Sequence, residues 1–232
     1  MVNAYSPAWF DIFLKTIPPA QTAAEVAFLR RHLPLPDYAR LLDVCCGPGR
    51  HALPLATHGY AVTGLDRNLD MLAQAAASVA WVAGGMGALP LADGYFDVVM
   101  CLWQSFGYFD AMTNEAALRQ MAAKLRPGGL LLLDVYHRGF FAQPAQQGTR
   151  IWQRNGQAVT ATQGLTGNHW QVRLAYADGG GDQFAWQLYE PDELCQLAAR
   201  LGLTSLLVCA NFEEGVPASP VFPRMQLLFT RD

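Results

Sequence analysis

The 232 residues are enough for one sizeable domain with a real core, and 52% hydrophobic against 15% charged residues describes an ordered globular protein rather than a disordered one. A formal net charge of −3, with no Lys/Arg cluster, excludes a nucleic-acid backbone as partner, because phosphate contacts need a basic footprint. The run Leu130–Leu133 is far too short to span a bilayer, and Asp11 and Lys15 interrupt the apolar N-terminus, so a cytoplasmic protein without a membrane partner is expected.

In chain order, Tyr5, Trp9, Phe10 and Phe13 form an aromatic lead segment that is partly helical and ends at Pro18-Pro19. Gln21–His32 carries apolar residues at helical spacing and is stopped by Pro34 and Pro36. Leu41–Cys45 is the first strand, and its helix runs from about Pro48 to His58, with Pro54 kinking it or delaying its first turn. Ala61–Leu65 is the second strand, Asn68 caps a further helix, and Trp81–Ala83 is a short third strand. Asp97–Leu102 is a continuous apolar strand of the kind buried on both faces of a parallel sheet, followed by a helix over Asn114–Leu125 with an Asn or Thr cap. Leu130–Val135 is the fifth strand. After Phe141 the pattern changes to hairpins: Asn155-Gly156 is a two-residue turn signal, further turns fall at 164–168 and 178–182, and His169–Tyr176 and Gln183–Tyr189 read as strands. Pro191–Leu201 returns to helix, and Leu203–Cys209 and Met225–Thr230 supply two last strands. The expectation is an α/β fold, a doubly wound Rossmann-like seven-stranded sheet with an inserted antiparallel β subdomain. Its division is an N-terminal helical lid (1–36), a core (37–140 and 189–232) and the insert (141–188). The five cysteines, Cys45, Cys46, Cys101, Cys195 and Cys209, lack ligand spacing and are odd in number, so neither metal nor disulfide is expected.

Function concentrates at Leu41–Arg50. An apolar strand entering a glycine-containing turn lets backbone N–H groups approach a ligand, and Asp66, at the tip of the next strand, is placed to accept from both hydroxyls of a ribose. Together with the strand–helix alternation, this points to a nucleoside-type cofactor.

Asp43-Val44-Cys45-Cys46-Gly47-Pro48-Gly49-Arg50-His51 resembles the first motif of the class I S-adenosylmethionine-dependent methyltransferases, in a small bacterial, small-molecule branch. Ala61–Asp66 is similar to their second motif, Leu125–Leu130 resembles the entry to their fifth strand, and Ser105–Phe109 resembles a run in some small members. The resemblance implies S-adenosyl-L-methionine as cofactor. Gly47 and Gly49 would pass under its amino-acid half, Asp43 would orient the loop or accept from the methionine ammonium, and Asp66 would hold the ribose, with Arg67 or Leu65 beside the adenine. Cys45 takes the place of a first glycine and fits there only if its φ is not positive. Where the family has an acidic residue that reads the adenine amine, this chain has Gly84-Gly85-Met86-Gly87, leaving backbone at Met86 and Gly87 for that task.

Trp103 and Gln104 would border the sulfonium, and Trp103, Phe106 and Tyr108 could face an onium cation. The signatures of amino-methylating nucleic-acid enzymes and of cytosine C5 enzymes are missing at this position. Tyr136 and His137, after the fifth strand, are catalytic candidates, His137 as a base. Tyr5, Trp9, Tyr108, Arg150 and His169 are candidate substrate contacts. The implied reaction is methyl transfer to a small-molecule acceptor by a monomer or homodimer. Alternatives are aminopropyl transfer at the same site, a non-catalytic cofactor-binding or partner-regulating module, and a dinucleotide dehydrogenase, the last disfavoured because no full G-x-G-x-x-G is present.

Overall fold

The computed structural model describes residues 3, 5–73 and 78–232. In chain order the elements are α1 (Pro7–Phe13), α2 (Pro19–His32), β1 (Arg40–Val44), α3 (Ala52–Thr57), β2 (Ala61–Asp66), α4 (Leu69–Ala73), β3 (Ala80–Ala83), β4 (Phe96–Cys101), α5 (Ala111–Lys124) and β5 (Leu125–Tyr136). They continue with α6 (Arg138–Phe141), β6 (Gly148–Arg154), β7 (Gln157–Thr166), β8 (His169–Tyr176), β9 (Gly181–Gln187), α7 (Pro191–Ala199), β10 (Leu203–Cys209) and β11 (Arg224–Arg231). Seven strands form one sheet in the order β10-β11-β5-β4-β1-β2-β3, and β6 to β9 form a separate antiparallel sheet. β1 to β5 run parallel, and β11 returns antiparallel against β5 with Leu227 opposite Leu133. This is the doubly wound, seven-stranded architecture with an inserted β unit that the element pattern predicts.

All six residues of β4 are buried, because a central parallel strand carries helices on both faces. One apolar cluster joins Leu42, Val99, Leu131 and Leu227 to α5 and α7, and a second, on the other face, joins Leu41, Met100 and Leu132 to α2 and α3. Such a sheet exposes the carboxyl tips of its strands along one edge, where open α/β folds bind ligands.

α3 begins at Ala52 rather than near Pro48, the delayed first turn that is one of the two outcomes expected of Pro54, which falls in that turn, where its missing N–H would have no helical partner. A cap is corrected. α5 is capped by Asp110, whose extended backbone lets its carboxylate accept from Thr113 N at 2.9 Å. Asn114 instead lies inside that helix, fully buried. Its side chain donates to Phe109 O at 2.7 Å and to Gln187 Oε1 at 3.0 Å.

The insert folds on its own turn chemistry. Asn155 (φ 47°) and Gly156 (φ 73°) both adopt the left-handed conformation that a two-residue hairpin requires. β8 alternates exposed and buried residues, with Trp170, Val172, Leu174 and Tyr176 inward. Onto that inner face the N-terminal segment docks. Asn3 exchanges two hydrogen bonds with Ala185, at 2.7 and 2.9 Å, and the Tyr5 ring lies 4.5 Å from Phe184. Asp182 accepts from Ser6 N at 3.0 Å, from Ser6 Oγ at 2.7 Å and from the Tyr176 hydroxyl. Asp182→Ala would leave these donors unpaired in a largely buried place. Urea unfolding should show a loss of about 1–3 kcal/mol, with earlier proteolytic cleavage around residues 5–13.

Candidate active site

The turn after β1 is held against the end of β2. Cys45 N and Cys46 N both donate to Leu65 O, at 2.7 and 3.1 Å. Gly47 N donates to Asp66 Oδ2 and Asn68 N to Asp66 Oδ1, each at 2.8 Å, so one carboxylate ties the glycine turn to the start of the next loop. Gly47 sits at φ 54° with nothing within 4 Å of where a Cβ would stand, which leaves its backbone open to a ligand. Gly49, at φ 84°, serves packing instead, since a Cβ there would meet the Trp81 ring at 2.5 Å. Cys45 corrects an expectation: its φ is 62°, a conformation that costs a non-glycine residue on the order of 1–2 kcal/mol. The two bonds to Leu65 O hold it there. Asp43 is 3% exposed and has no side-chain hydrogen bond among the described residues. Burial, and then the nearby Asp66 charge, push its carboxyl up to about 8. That environment favours a cationic ligand group.

Beyond β3, Met86 is buried and Gly87 exposed, and a bridge between Gly85 and Ala88 closes the loop. Gly85 has open space around a Cβ and is outside the left-handed region, so it tolerates a side chain. Arg67 is exposed at the rim.

The tip of β4 is built under strain. Trp103 (φ 55°) and Gln104 (φ 57°) are consecutive left-handed residues. Their amides donate to Asp134, Trp103 N to Oδ2 and Gln104 N to the main-chain oxygen, both at 3.0 Å. The Trp103 ring lies between two guanidiniums, Arg50 at 4.3 Å and Arg224 at 4.7 Å, and its Nε1 donates to Glu25 at 3.2 Å. Glu25 also faces Arg50 at 2.7 Å, His51 at 2.8 Å and Arg224 at 3.3 Å. Arg224 and Gln226 both donate to Asp134, at 2.8 Å. Trp103 is thus engaged by cations of the protein itself.

The loop that follows is shaped by the insert. Gln187 N donates to Gly107 O at 2.8 Å, Trp186 Nε1 donates to Gln104 O at 3.1 Å, and the Tyr108 ring lies 5.8 Å from Trp186. Tyr108 shares a hydroxyl–hydroxyl hydrogen bond with Tyr5, which brings the N-terminal segment over the β4 tip. Burial raises both phenols above their usual range, and it pushes the Tyr136 phenol up to about 12. The Tyr136 ring packs against Phe141 at 4.7 Å and Trp186 at 5.5 Å, and Trp9 packs on Tyr5 at 4.4 Å.

His137 is corrected as a base. It caps α6, its Nδ1 accepting from Gly139 N at 3.1 Å, while Nε2 points to Glu190 at 3.7 Å, and burial holds its pKa below the usual value. Its lone pair is spent on the backbone. His169 is corrected too, because strand alternation puts it on the exposed face of β8, opposite the one that packs on α1. Arg150 is half-buried, on the same side of β6 as Trp152, which joins the insert's core.

Sequence reasoning missed Glu25 and Arg224. The available signal for Glu25 was a carboxylate three and four residues before Phe28 and Leu29, inside the apolar stripe of α2, where an unpaired charge is not tolerated. Arg224 carried no local signal, since its partners lie 90 and 199 positions away.

This arrangement, a mixed seven-stranded sheet with a glycine turn and an acidic strand tip at its carboxyl edge, defines the class I S-adenosylmethionine-dependent methyltransferase fold. Residues 41–129 match the family model described as methyltransferase domain. Over 122 residues the chain is 34% identical to glycine N-methyltransferase of Rattus norvegicus, covering 44% of this chain and 41% of that protein. Over 105 residues it is 38% identical to demethylmenaquinone methyltransferase of Mycolicibacterium vanbaalenii, covering 45% of each. The matches thus span about half the length of these relatives. Among solved structures, an S-adenosylmethionine-dependent methyltransferase from Clostridium acetobutylicum superimposes with a TM-score of 0.81 at 12% identity, covering 97% of this chain and 96% of that one. An amino pentose methyltransferase from Micromonospora echinaspora, solved with S-adenosylmethionine bound, gives 0.71 at 24% identity over 100% of both chains. At these identities the likeness is one of fold.

Burial alone would raise the Glu25 carboxyl, but the His51 hydrogen bond and the charges of Arg50 and Arg224 hold it down to about 2. A carboxyl below its usual 4.5 stabilises the fold above that pH and stops doing so as pH falls toward 2. Burial holds His51 below its ordinary 6.5, so it adds a loss in the same direction once pH falls below 6.5. The melting temperature should therefore fall on acidification below pH 6.5, steeply between 4.5 and 2. Glu25→Gln should cost about 3–5 kcal/mol in urea unfolding at pH 7 by leaving buried cations uncompensated, and should flatten the acid limb. A variant with wild-type stability and acid profile would refute the role of this carboxylate.

Proposed function

We propose that this protein transfers a methyl group from S-adenosyl-L-methionine to a small-molecule acceptor. The observation that carries the reading is the Asp66 carboxylate at the tip of β2, joined to the open Gly47 turn at 2.8 Å, with the buried Asp43 carboxyl alongside. Each Asp66 oxygen uses one acceptor position on a backbone amide and keeps another for a ribose hydroxyl. Asp43 offsets positive charge on the methionine half, Gly47 lets that half lie close to the backbone, and the 85–88 loop borders the adenine. The bound donor supplies a methyl group already activated on a sulfonium. The protein's part is then to exclude water and to aim the acceptor.

The domain family of residues 41–129 supports the same reading, as do relatives whose names all describe methyl transfer. We assign acceptor selection to the N-terminal segment (1–36, of which 1, 2 and 4 lie outside the described residues) with the insert (141–188), because Tyr5, Tyr108 and Trp186 meet over the β4 tip. No helix among the described residues is long and apolar enough to cross a membrane. Five free thiols suit a reducing cytoplasm.

Calorimetry with S-adenosylhomocysteine tests the assignment. Asp66→Ala should weaken binding by about 1–3 kcal/mol, and unchanged affinity would remove Asp66 from the ribose. Gly85→Asp restores the acidic residue that this chain lacks beside the adenine. It should leave the melting temperature of the free protein unchanged, given the open space at Gly85, and tighten binding by about 0.5–1.5 kcal/mol.

A further inference from the structure

We infer that the acceptor nucleophile is an uncharged amine, held among the hydroxyls of Tyr5, Tyr108 and Tyr136 and methylated without a base from the protein. The inference rests on the methyl-transfer reading above. Its ground is what the cleft offers to a proton. A hydroxyl acceptor must give up its proton as the new bond forms, which calls for a proton acceptor beside it. An amine has a free lone pair. That pair forms the N–CH3 bond while the S–CH3 bond breaks and its electrons stay on sulfur as a thioether. The extra proton then leaves the product ammonium for water.

Among the described residues, no side chain at the cleft is suited to the base's task. The chain has five histidines. His51 is buried against Glu25, His32 pairs with Glu214 at 2.9 Å, and His58 lies at the carboxyl end of α3, where the chain turns back to begin β2. His137 spends its lone pair on Gly139 N, and His169 is on the outer face of the insert. The carboxylates near the cleft have other tasks: in the reading above Asp66 holds the ribose and Asp43 faces the methionine ammonium, while Asp134 pairs with Arg224 and Gln226, and Glu25 with Arg50, His51 and Arg224. The remaining charged groups, Arg67 and Arg224, are cations, and Cys45 packs against the apolar cluster that contains Cys101. The phenols are all raised by burial, so at neutral pH they stay protonated.

What the cleft does offer suits an amine. Tyr5 and Tyr108 are bonded to each other, while the Tyr136 hydroxyl has no partner among the described residues. Phenolic oxygens can accept N–H bonds and so turn the lone pair toward the sulfur. The Tyr108 and Tyr136 rings lie 5.8 and 5.5 Å from Trp186, and aromatic faces favour the positive charge that moves from sulfur to nitrogen.

The test uses matched probes: glycine and glycolate, glucosamine and glucose, benzylamine and benzyl alcohol. Each is incubated with protein and S-adenosylmethionine across pH 6–10, with S-adenosylhomocysteine and methylated product measured. At least one amine should be methylated at more than about tenfold the rate of its hydroxyl twin. The midpoint of the pH–rate curve should follow each amine's own pKa, and Tyr136→Phe should lower the rate without moving that midpoint. A second readout needs no turnover. Calorimetry of the best amine onto protein loaded with sinefungin, an unreactive donor analogue that keeps a positive charge, is run at pH 7 in two buffers of different ionisation enthalpy. It should report about one proton released to buffer per amine bound. Methylation of a hydroxyl probe at a comparable rate, a midpoint common to all amines, or retention of the proton by the protein would overturn the inference. So would silence of every amine while S-adenosylhomocysteine still binds. Failure to bind S-adenosylhomocysteine at all would instead defeat the underlying methyl-transfer reading.

Discussion

A single buried carboxylate, Glu25, sets the geometry on which the rest of the site depends. It lies on α2, is 2% exposed, and is surrounded by Arg50 from the turn region after β1, Trp103 from the tip of β4 and Arg224 from β11. An isolated buried charge would cost several kcal/mol, so the helix and the three loop ends are stable only in the arrangement that brings them together. The requirement is mutual. Arg50 and Arg224 both stack on Trp103, and two cations so close need the Glu25 and Asp134 carboxylates between and beside them.

That network explains how two consecutive left-handed residues persist at Trp103 and Gln104. Their backbone cost is offset by amide bonds to Asp134 from below and by the Trp186 bond to Gln104 O from the insert. A strand that curls back at its carboxyl tip carries the following residues up and over the sheet edge, and Tyr108 meets Tyr5 there. Polar contacts therefore govern the floor of the cleft and aromatic ones its roof. The insert is more than a cover, because Gln187 and Trp186 help determine the path of the 103–109 loop. Gly107, at φ 106°, leaves no room for a Cβ, which would stand 2.6 Å from Gln187 O. Core and insert touch there without an intervening side chain.

The motif-bearing half of the site was legible in the chain because its parts are local. A glycine turn between a strand and a helix, and an acidic residue at the next strand's tip, are set by backbone conformation and by sheet register, with Asp43 opposite Gly64 and Val44 opposite Leu65. Asn155-Gly156 likewise reports its own hairpin, since its left-handed geometry is a property of those two residues. The readings that failed were those in which a side chain's surroundings come from distant segments. His137 reads as a rim histidine until the fold brings Glu190, at the start of α7, to 3.7 Å from its Nε2. His169 lies on an aromatic strand, but which face of that strand is covered depends on where α1 docks.

What the sequence determined by itself was the alternation of strand and helix, the class of fold, the glycine turn and the ribose-type carboxylate. Each follows from hydrophobic periodicity or from conformational preference over a few residues. Only the tertiary structure decided the strained state of Cys45, the packing of Arg50 and Arg224 on Trp103 beside Glu25, and the meeting of Tyr5 with Tyr108. Those depend on contacts between residues up to 199 positions apart. Charge pairing and aromatic packing act through space over a few ångströms, and no spacing along the chain encodes which distant groups the fold will bring within that range.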